Sequence, residues 1–310
     1  MDFSLTADQQ LLQDTARKLL ERECPPAVVR AHIDDPSVYE PLWRHLSEYV
    51  ALGTGDAADH CLFLEETGYA AAPGPFLAST LYTALTGDDT TTGTVAFVDD
   101  AIQPFVLEAD RVDRIAIVAP DLRLAVVDAA NVPARFVSTV DFSRRLFVLD
   151  PPQLESQPLA AADYARWRDR AYACMAAEMV GTARRIFEMA LAYAKERKQF
   201  DVPIGSFQAI QHKLADMSLA LERATAAVHY AAMTIDGDDP ERGRAAHVAK
   251  ASAGEAARRI LKDGIQIHGG IGYTWEHDLH LFLRRATGDE YLFGTTGWHL
   301  DRLADLLIDA

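Results

Sequence analysis

Three cysteines in 310 residues, at 24, 61 and 174, are too few and too scattered for a disulfide scaffold. No C-x-x-C spacing joins them, so a zinc site built on thiolates is excluded as well. Positive charge is also scarce. Thirty Lys and Arg against 46 Asp and Glu leave a formal net charge of −16. That balance repels nucleic acid and anionic membranes, both of which reward a basic surface. An anionic ligand must then be drawn by a local basic group. No apolar run approaches the length needed to cross a bilayer. The opening Met-Asp-Phe-Ser-Leu-Thr is neither basic nor followed by an apolar stretch, so no secretory signal is expected and the expected location is cytoplasmic.

The remaining composition, 49% hydrophobic and 25% charged, is that of an ordinary globular chain. Periodicity divides it into three parts. In residues 1–90 a capping box at Thr6 and Gln9 predicts a helix carrying Leu12, Ala16, Leu19 and Leu20 on one face, closed by Pro25 and Pro26. A second helix is predicted from Ser37 through Tyr39, Leu42, Trp43, Leu46 and Tyr49, and a third over 57–70, ending near Gly68 and the Ala-Pro-Gly-Pro run at 72–75.

Residues 91–155 break into short β-prone runs, Thr94–Val98, Arg114–Val118, Leu122–Val127 and Arg145–Leu149, which predict a small antiparallel β domain of five or six strands. From 156 to 310 the pattern is helical again. Met179, Ala183, Ile186, Ala190 and Tyr193 mark one long helix. Ile210, Leu214, Met217, Leu221, Ala224 and Val228 give the narrow 4-3 seam of near-parallel helix packing. A helix over 241–266 carries a small-residue stripe (Ala245, Ala249, Ala253, Ala256), and a last helix spans 297–309. The fold expected is mainly α, with an N-terminal helical domain, a reduced β domain and a C-terminal four-helix bundle.

Three stretches could carry chemistry. Arg197-Lys198-Gln199-Phe200 followed by Pro203 through Gln208 lies between two long helices, where Arg197 could clamp a phosphate. Equally, a basic pair at a helix C-terminus serves the dipole alone. Gln266-Ile267-His268-Gly269-Gly270-Ile271-Gly272-Tyr273 offers adjacent glycines that let a backbone approach a ligand, but it lacks the preceding strand of a dinucleotide fingerprint and also reads as a helix C-cap. Phe293-Gly294-Thr295 is a turn with an N-cap candidate. His268 stands alone, with no second metal ligand at a suitable spacing.

Taken together and in order, these stretches resemble the C-terminal half of the acyl-CoA dehydrogenase family, over about residues 160–310. Ala-Pro-Gly-Pro-Phe-Leu at 72–77 adds a weaker N-terminal match. The resemblance implies an FAD shared between subunits. Arg197 would meet the pyrophosphate, and Gln199, Phe200, Phe207 and Gln208 would line the cofactor's path. Gln266, Ile267, His268, Gly269 and Gly270 would contact the adenosine end, with Thr295 approaching it.

Two departures from the family pattern stand beside the match. The reaction needs a carboxylate to take the α-proton of an acyl-CoA. Phe293 occupies the usual position of that glutamate, and Ala171 the alternative one. Between 85 and 150 there is no Thr-Glu-Pro-Gly-type segment to cradle a flavin ring. The combination resembles the short subunits of heteromeric, α2β2 acyl-CoA dehydrogenases, best known from steroid degradation in actinobacteria. It implies a full-length partner that binds most of the acyl-CoA, no catalytic residue in this chain, no metal, and an electron-transfer flavoprotein as acceptor. A self-sufficient enzyme with a displaced base (Glu178 or Glu290) and a flavin-free scaffold stay open as alternatives.

Overall fold

The computed structural model describes residues 4–98, 105–150 and 155–308. Thr6 and Gln9 form the expected capping box of α1 (Ala7–Glu23), and α2 (Pro26–Asp34) begins where the proline pair fixes the first turn. The helix expected from Ser37 is instead a short α3 (Glu40–Leu46) between two 3-10 turns (Pro36–Tyr39 and Ser47–Gly53). Leu42 and Leu46 still face the core, whereas Trp43 and Tyr49 reach it only partly. Then come α4 (Ala57–Ala70) and α5 (Phe76–Thr86). The apolar, β-branched run of α5 gave no helical period, because eight consecutive residues of it are buried.

The middle of the chain corrects one expectation. A four-stranded sheet runs β1 (Gly93–Phe97), β3 (Arg114–Val118), β4 (Arg123–Asp128) and β7 (Gln157–Pro158), and its β1–β3 pair is parallel. The cause is a crossover. Between β1 and β3 the chain visits a second sheet through β2 (Val106–Leu107), which pairs with β6 (Leu146–Leu149) and, through it, with β5 (Ala134–Val137). All other pairs in the two sheets are antiparallel.

The C-terminal part holds α6 (Ala161–Glu196), a small hairpin of β8 (Lys198–Gln199) and β9 (Val202–Pro203), α7 (Gln208–Asp236), α8 (Arg242–His268), α9 (Leu279–Asp289) and α10 (Thr296–Ile308). The expected end of the last helix, at 309, lies outside the described residues. Met217, Leu221, Ala224 and Val228 are buried along the α7 seam, and the alanine stripe of α8 is at most 3% exposed. At about 1.5 Å per residue, the 36 residues of α6 form a spine roughly 54 Å long.

The N-terminal domain is fused to that spine by backbone contact. A Cβ on Gly68 of α4 would lie 2.0 Å from the Glu178 carbonyl oxygen, and one on Gly181 of α6 would lie 1.8 Å from that of Glu65. Only glycine fits at either point. The β insert docks through Phe97, whose ring lies 5.6 Å from that of Trp167. Among the described residues no helix is long and apolar enough to cross a membrane, and no group of three or more potential ligands is placed to hold a metal ion.

Candidate functional site

At one end of the bundle the chain leaves α6, turns through the β8–β9 hairpin and enters α7. The two-residue turn, Phe200–Asp201, has φ of 52° and 64°. Positive φ at both central residues suits the twist of a hairpin but is normally supplied by Asn-Gly. A bulky residue held there costs on the order of 1–3 kcal/mol. Phe200 is nonetheless 89% exposed, with Phe207 edge-on at 6.4 Å. Arg197 is fixed by its backbone, which donates to the Tyr193 carbonyl and accepts from the Ile204 N–H, while the residue is exposed and forms no ion pair among the described residues. Gln199 is exposed, its amide donating to the Lys198 carbonyl. Gln208 opens α7, and no side chain caps that helix, so its first N–H groups lack a side-chain partner.

The end of α8 lies against the same corner. His268 stacks on Tyr193 at 4.6 Å, and Lys213 of α7 pairs with Asp263 of α8. Gln266 is exposed; Gly269 turns the chain with φ of 64°, and neither Gly269 nor Gly270 would bring a Cβ within 4 Å of another atom. Two expected contact residues point the other way. Ile267 is 4% exposed and packs in the core. His268 is buried, its Nδ1–H donating to the Gly264 carbonyl at 2.8 Å, and burial lowers its pKa, so the ring is neutral. Either residue can meet a ligand only through its backbone.

Thr295 does not join them. Its hydroxyl caps α10, accepting from the Trp298 N–H, and the next residue, Thr296, packs on Gly254 of α8. Twelve residues of helix separate Gly254 from Gln266, about 18 Å. The structure thus gathers Arg197, Gln199, Phe200, Phe207, Gln208, Gln266, Gly269 and Gly270 on one open surface and leaves Thr295 far along the bundle.

The positions where a base would stand are closed. Ala171 is 0% and Phe293 6% exposed. Phe293 also has positive φ (56°), and its loop is pinned from behind. Lys250 donates to the Gly294 carbonyl at 2.9 Å, and His299 Nε2–H donates to the Phe293 carbonyl at 2.9 Å. The Nδ1 of His299 then accepts from His247 Nδ1–H at 2.8 Å, which requires the His299 ring to be neutral. Burial supports this, lowering His247 to about 4 and His299 to about 3, and it brings Lys250 down to about 8. Sequence reasoning missed this cluster; its one signal was a lysine beside Ala249, inside a stripe of small residues.

The displaced-base candidates are both engaged. Glu178 is 2% exposed and clamped by Arg285 and Arg144, each at 2.6 Å. Glu290 accepts from the Thr296 N–H and hydroxyl at the start of α10.

Comparison with known proteins bears on both surfaces. The family pattern described as acyl-CoA dehydrogenase, C-terminal domain, matches residues 169–308. The chain is 33% identical to the acyl-CoA dehydrogenase IpdE2 of Mycolicibacterium smegmatis, over 96% of this chain and 98% of that one. It is 34% identical to IpdE2 of Mycobacterium tuberculosis, over 96% of each. Among solved structures, a Tcur3481–Tcur3483 steroid ACAD variant superposes with a TM-score of 0.86, at 24% identity and covering 97% of this chain and 98% of that one. The ChsE4–ChsE5 complex from Mycobacterium tuberculosis gives 0.85 at 19% identity, covering all of both chains. At those identities the two structures speak for the fold.

Proposed function

The chain belongs to the acyl-CoA dehydrogenase family, and from that premise we propose that it is the non-catalytic subunit of a heteromeric FAD-dependent acyl-CoA dehydrogenase. In this reading it lends the ADP-side half of the FAD site to a full-length partner subunit, which carries the catalytic glutamate and oxidises the acyl-CoA. One contrast carries the proposal: an exposed corner with a positive-φ turn and an exposed arginine, set against two base positions that are solid protein.

The residues of the corner fit a dianionic cofactor linker. Arg197 and the uncapped start of α7 would hold the pyrophosphate, where an acidic chain otherwise offers little attraction. Gly269 and Gly270 leave room for a nucleoside against the backbone, and Phe200 and Phe207 present ring faces and edges beside it. Gln199, Gln208 and Gln266 supply amide donors and acceptors at the rim. FAD, when bound, supplies the hydride acceptor of the α,β-dehydrogenation. This chain's own part is to bind and orient it. Neither Glu178 nor Glu290 can serve as a free base while held as described.

A steroid-derived acyl group, an α2β2 stoichiometry, a cytoplasmic setting and an electron-transfer flavoprotein as acceptor belong to the same proposal. The steroid-derived acyl group and the heteromeric assembly are supported by the likeness to a steroid ACAD and to a two-protein complex. The test is to produce the chain alone and together with a candidate full-length acyl-CoA dehydrogenase subunit from the same source. Bound flavin and acyl-CoA oxidation with an artificial acceptor are then measured. Little flavin alone, with flavin and turnover in the complex, is the expected result. Turnover by the chain alone would replace the proposal with a self-sufficient enzyme; a flavin-free complex would replace it with a scaffold.

A further inference from the structure

Five charged side chains meet where the three parts of the chain join, and their charges do not cancel. Arg285 and Asp289 come from α9, Glu178 from α6, and Asp141 and Arg144 from the loop before β6. Glu178 bridges both arginines at 2.6 Å; Asp289 Oδ1 lies 3.0 Å from Arg144 Nε, and Asp141 Oδ2 lies 3.1 Å from Arg285 Nε. Arg285 also donates to the Ala72 carbonyl of the N-terminal domain at 3.0 Å. None of the five is more than 7% exposed. Three carboxylates therefore face two guanidiniums with no solvent to absorb the difference, a costly arrangement.

The surrounding groups do not repair it. Glu108 faces the cluster but is paired with Arg111 at 3.0 Å. Lys250, on α8, feels Glu290 more strongly than Asp289. His32 is held neutral by burial and by Arg111, and burial pushes the Cys24 thiol up to about 12. Three carboxylate oxygens of the cluster make no hydrogen bond, Oδ2 of Asp141, Oε2 of Glu178 and Oδ2 of Asp289. The first two lie in ion pairs with Arg285 and Arg144; among the described residues Oδ2 of Asp289, a residue 0% exposed, lies in neither. Asp289 is also the last residue of α9, where the backbone carbonyls disfavour a negative charge.

We propose that the folded chain keeps one proton in this cluster, on Asp289, and that this proton fastens the β insert to the bundle, so that docking of the insert weakens as pH rises. Burial pushes Asp289 up to about 7, in agreement with the geometry. A carboxyl raised on folding binds more protons in the folded state. Its stabilising contribution is complete below the unfolded value near 4 and is lost as pH climbs to about 7.

Thermal and denaturant unfolding of the full chain from pH 5 to 8 is compared with that of Asp289→Asn, which mimics the protonated form. The wild type should lose stability relative to the variant by up to about tenfold in folding constant per pH unit, levelling near pH 7. Amide exchange in β5 and β6, corrected for its intrinsic pH dependence, should quicken with pH in the wild type and not in the variant. Difference infrared spectroscopy of the wild type should show a protonated carboxyl band that bleaches across the same range, a readout that survives if the variant does not fold. Parallel unfolding profiles, absence of that band, or exchange that quickens everywhere except the insert would each overturn the proposal.

Discussion

Two phenylalanines in this chain carry almost the same improbable backbone angle, Phe200 at φ 52° and Phe293 at φ 56°. One is 89% exposed on a hairpin tip, the other 6% exposed behind a lysine and two neutral histidines. Strain at Phe293 is compensated locally by packing and hydrogen bonds. At Phe200 the described residues offer only the β8–β9 hairpin and the edge of Phe207. On the proposed function, one sequence closes a reaction centre at the second loop and keeps a binding face at the first.

The comparison can be broken or sharpened in four ways. Phe293→Ala should cost about 3–5 kcal/mol of stability by chemical denaturation, as expected for a truncated core aromatic. Turnover per bound flavin in the complex should stay largely intact, and its collapse would place Phe293 in the active site. Arg197→Ala should weaken flavin retention by about 1.5–3 kcal/mol, roughly ten- to a hundredfold in equilibrium dialysis, with little change in stability. Phe200→Gly should raise stability by about 1 kcal/mol by removing the positive-φ penalty while loosening the cofactor. A loss of stability instead would mean that the exposed ring is held by contacts of its own.

The smallest effect is a titration that should not be seen. His247 and His299, held to about 4 and about 3 by burial, should show no ring protonation by NMR between pH 8 and 5. Their contribution to stability is complete above the unfolded value near 6.5 and falls as pH drops toward the folded ones. It therefore runs opposite to that of Asp289.

Much of the fold was written in local pattern. The α7 seam through Met217, Leu221 and Val228 and the small-residue stripe of α8 are visible because helical period and burial coincide there. The corner residues were legible as a motif, Arg197 through Gln208 and Gln266 through Gly270. What sequence could not supply was everything decided by pairing at a distance. The parallel β1–β3 register depends on a detour into another sheet. The inward turn of His268 depends on Tyr193, 75 residues earlier. The separation of Thr295 from Gln266 follows from the length of α8, and the buried cluster of Arg144, Glu178 and Asp289 joins three residues far apart in the chain.

The glycine contacts between α4 and α6 have a mechanical consequence. Two helices whose main chains touch at Gly68 and Gly181 cannot slide or hinge past each other without steric collision. The N-terminal part therefore rides on the bundle as a single rigid strut. Cutting the chain near residue 90 would strip α6 of a wall of its core instead of releasing an autonomous module.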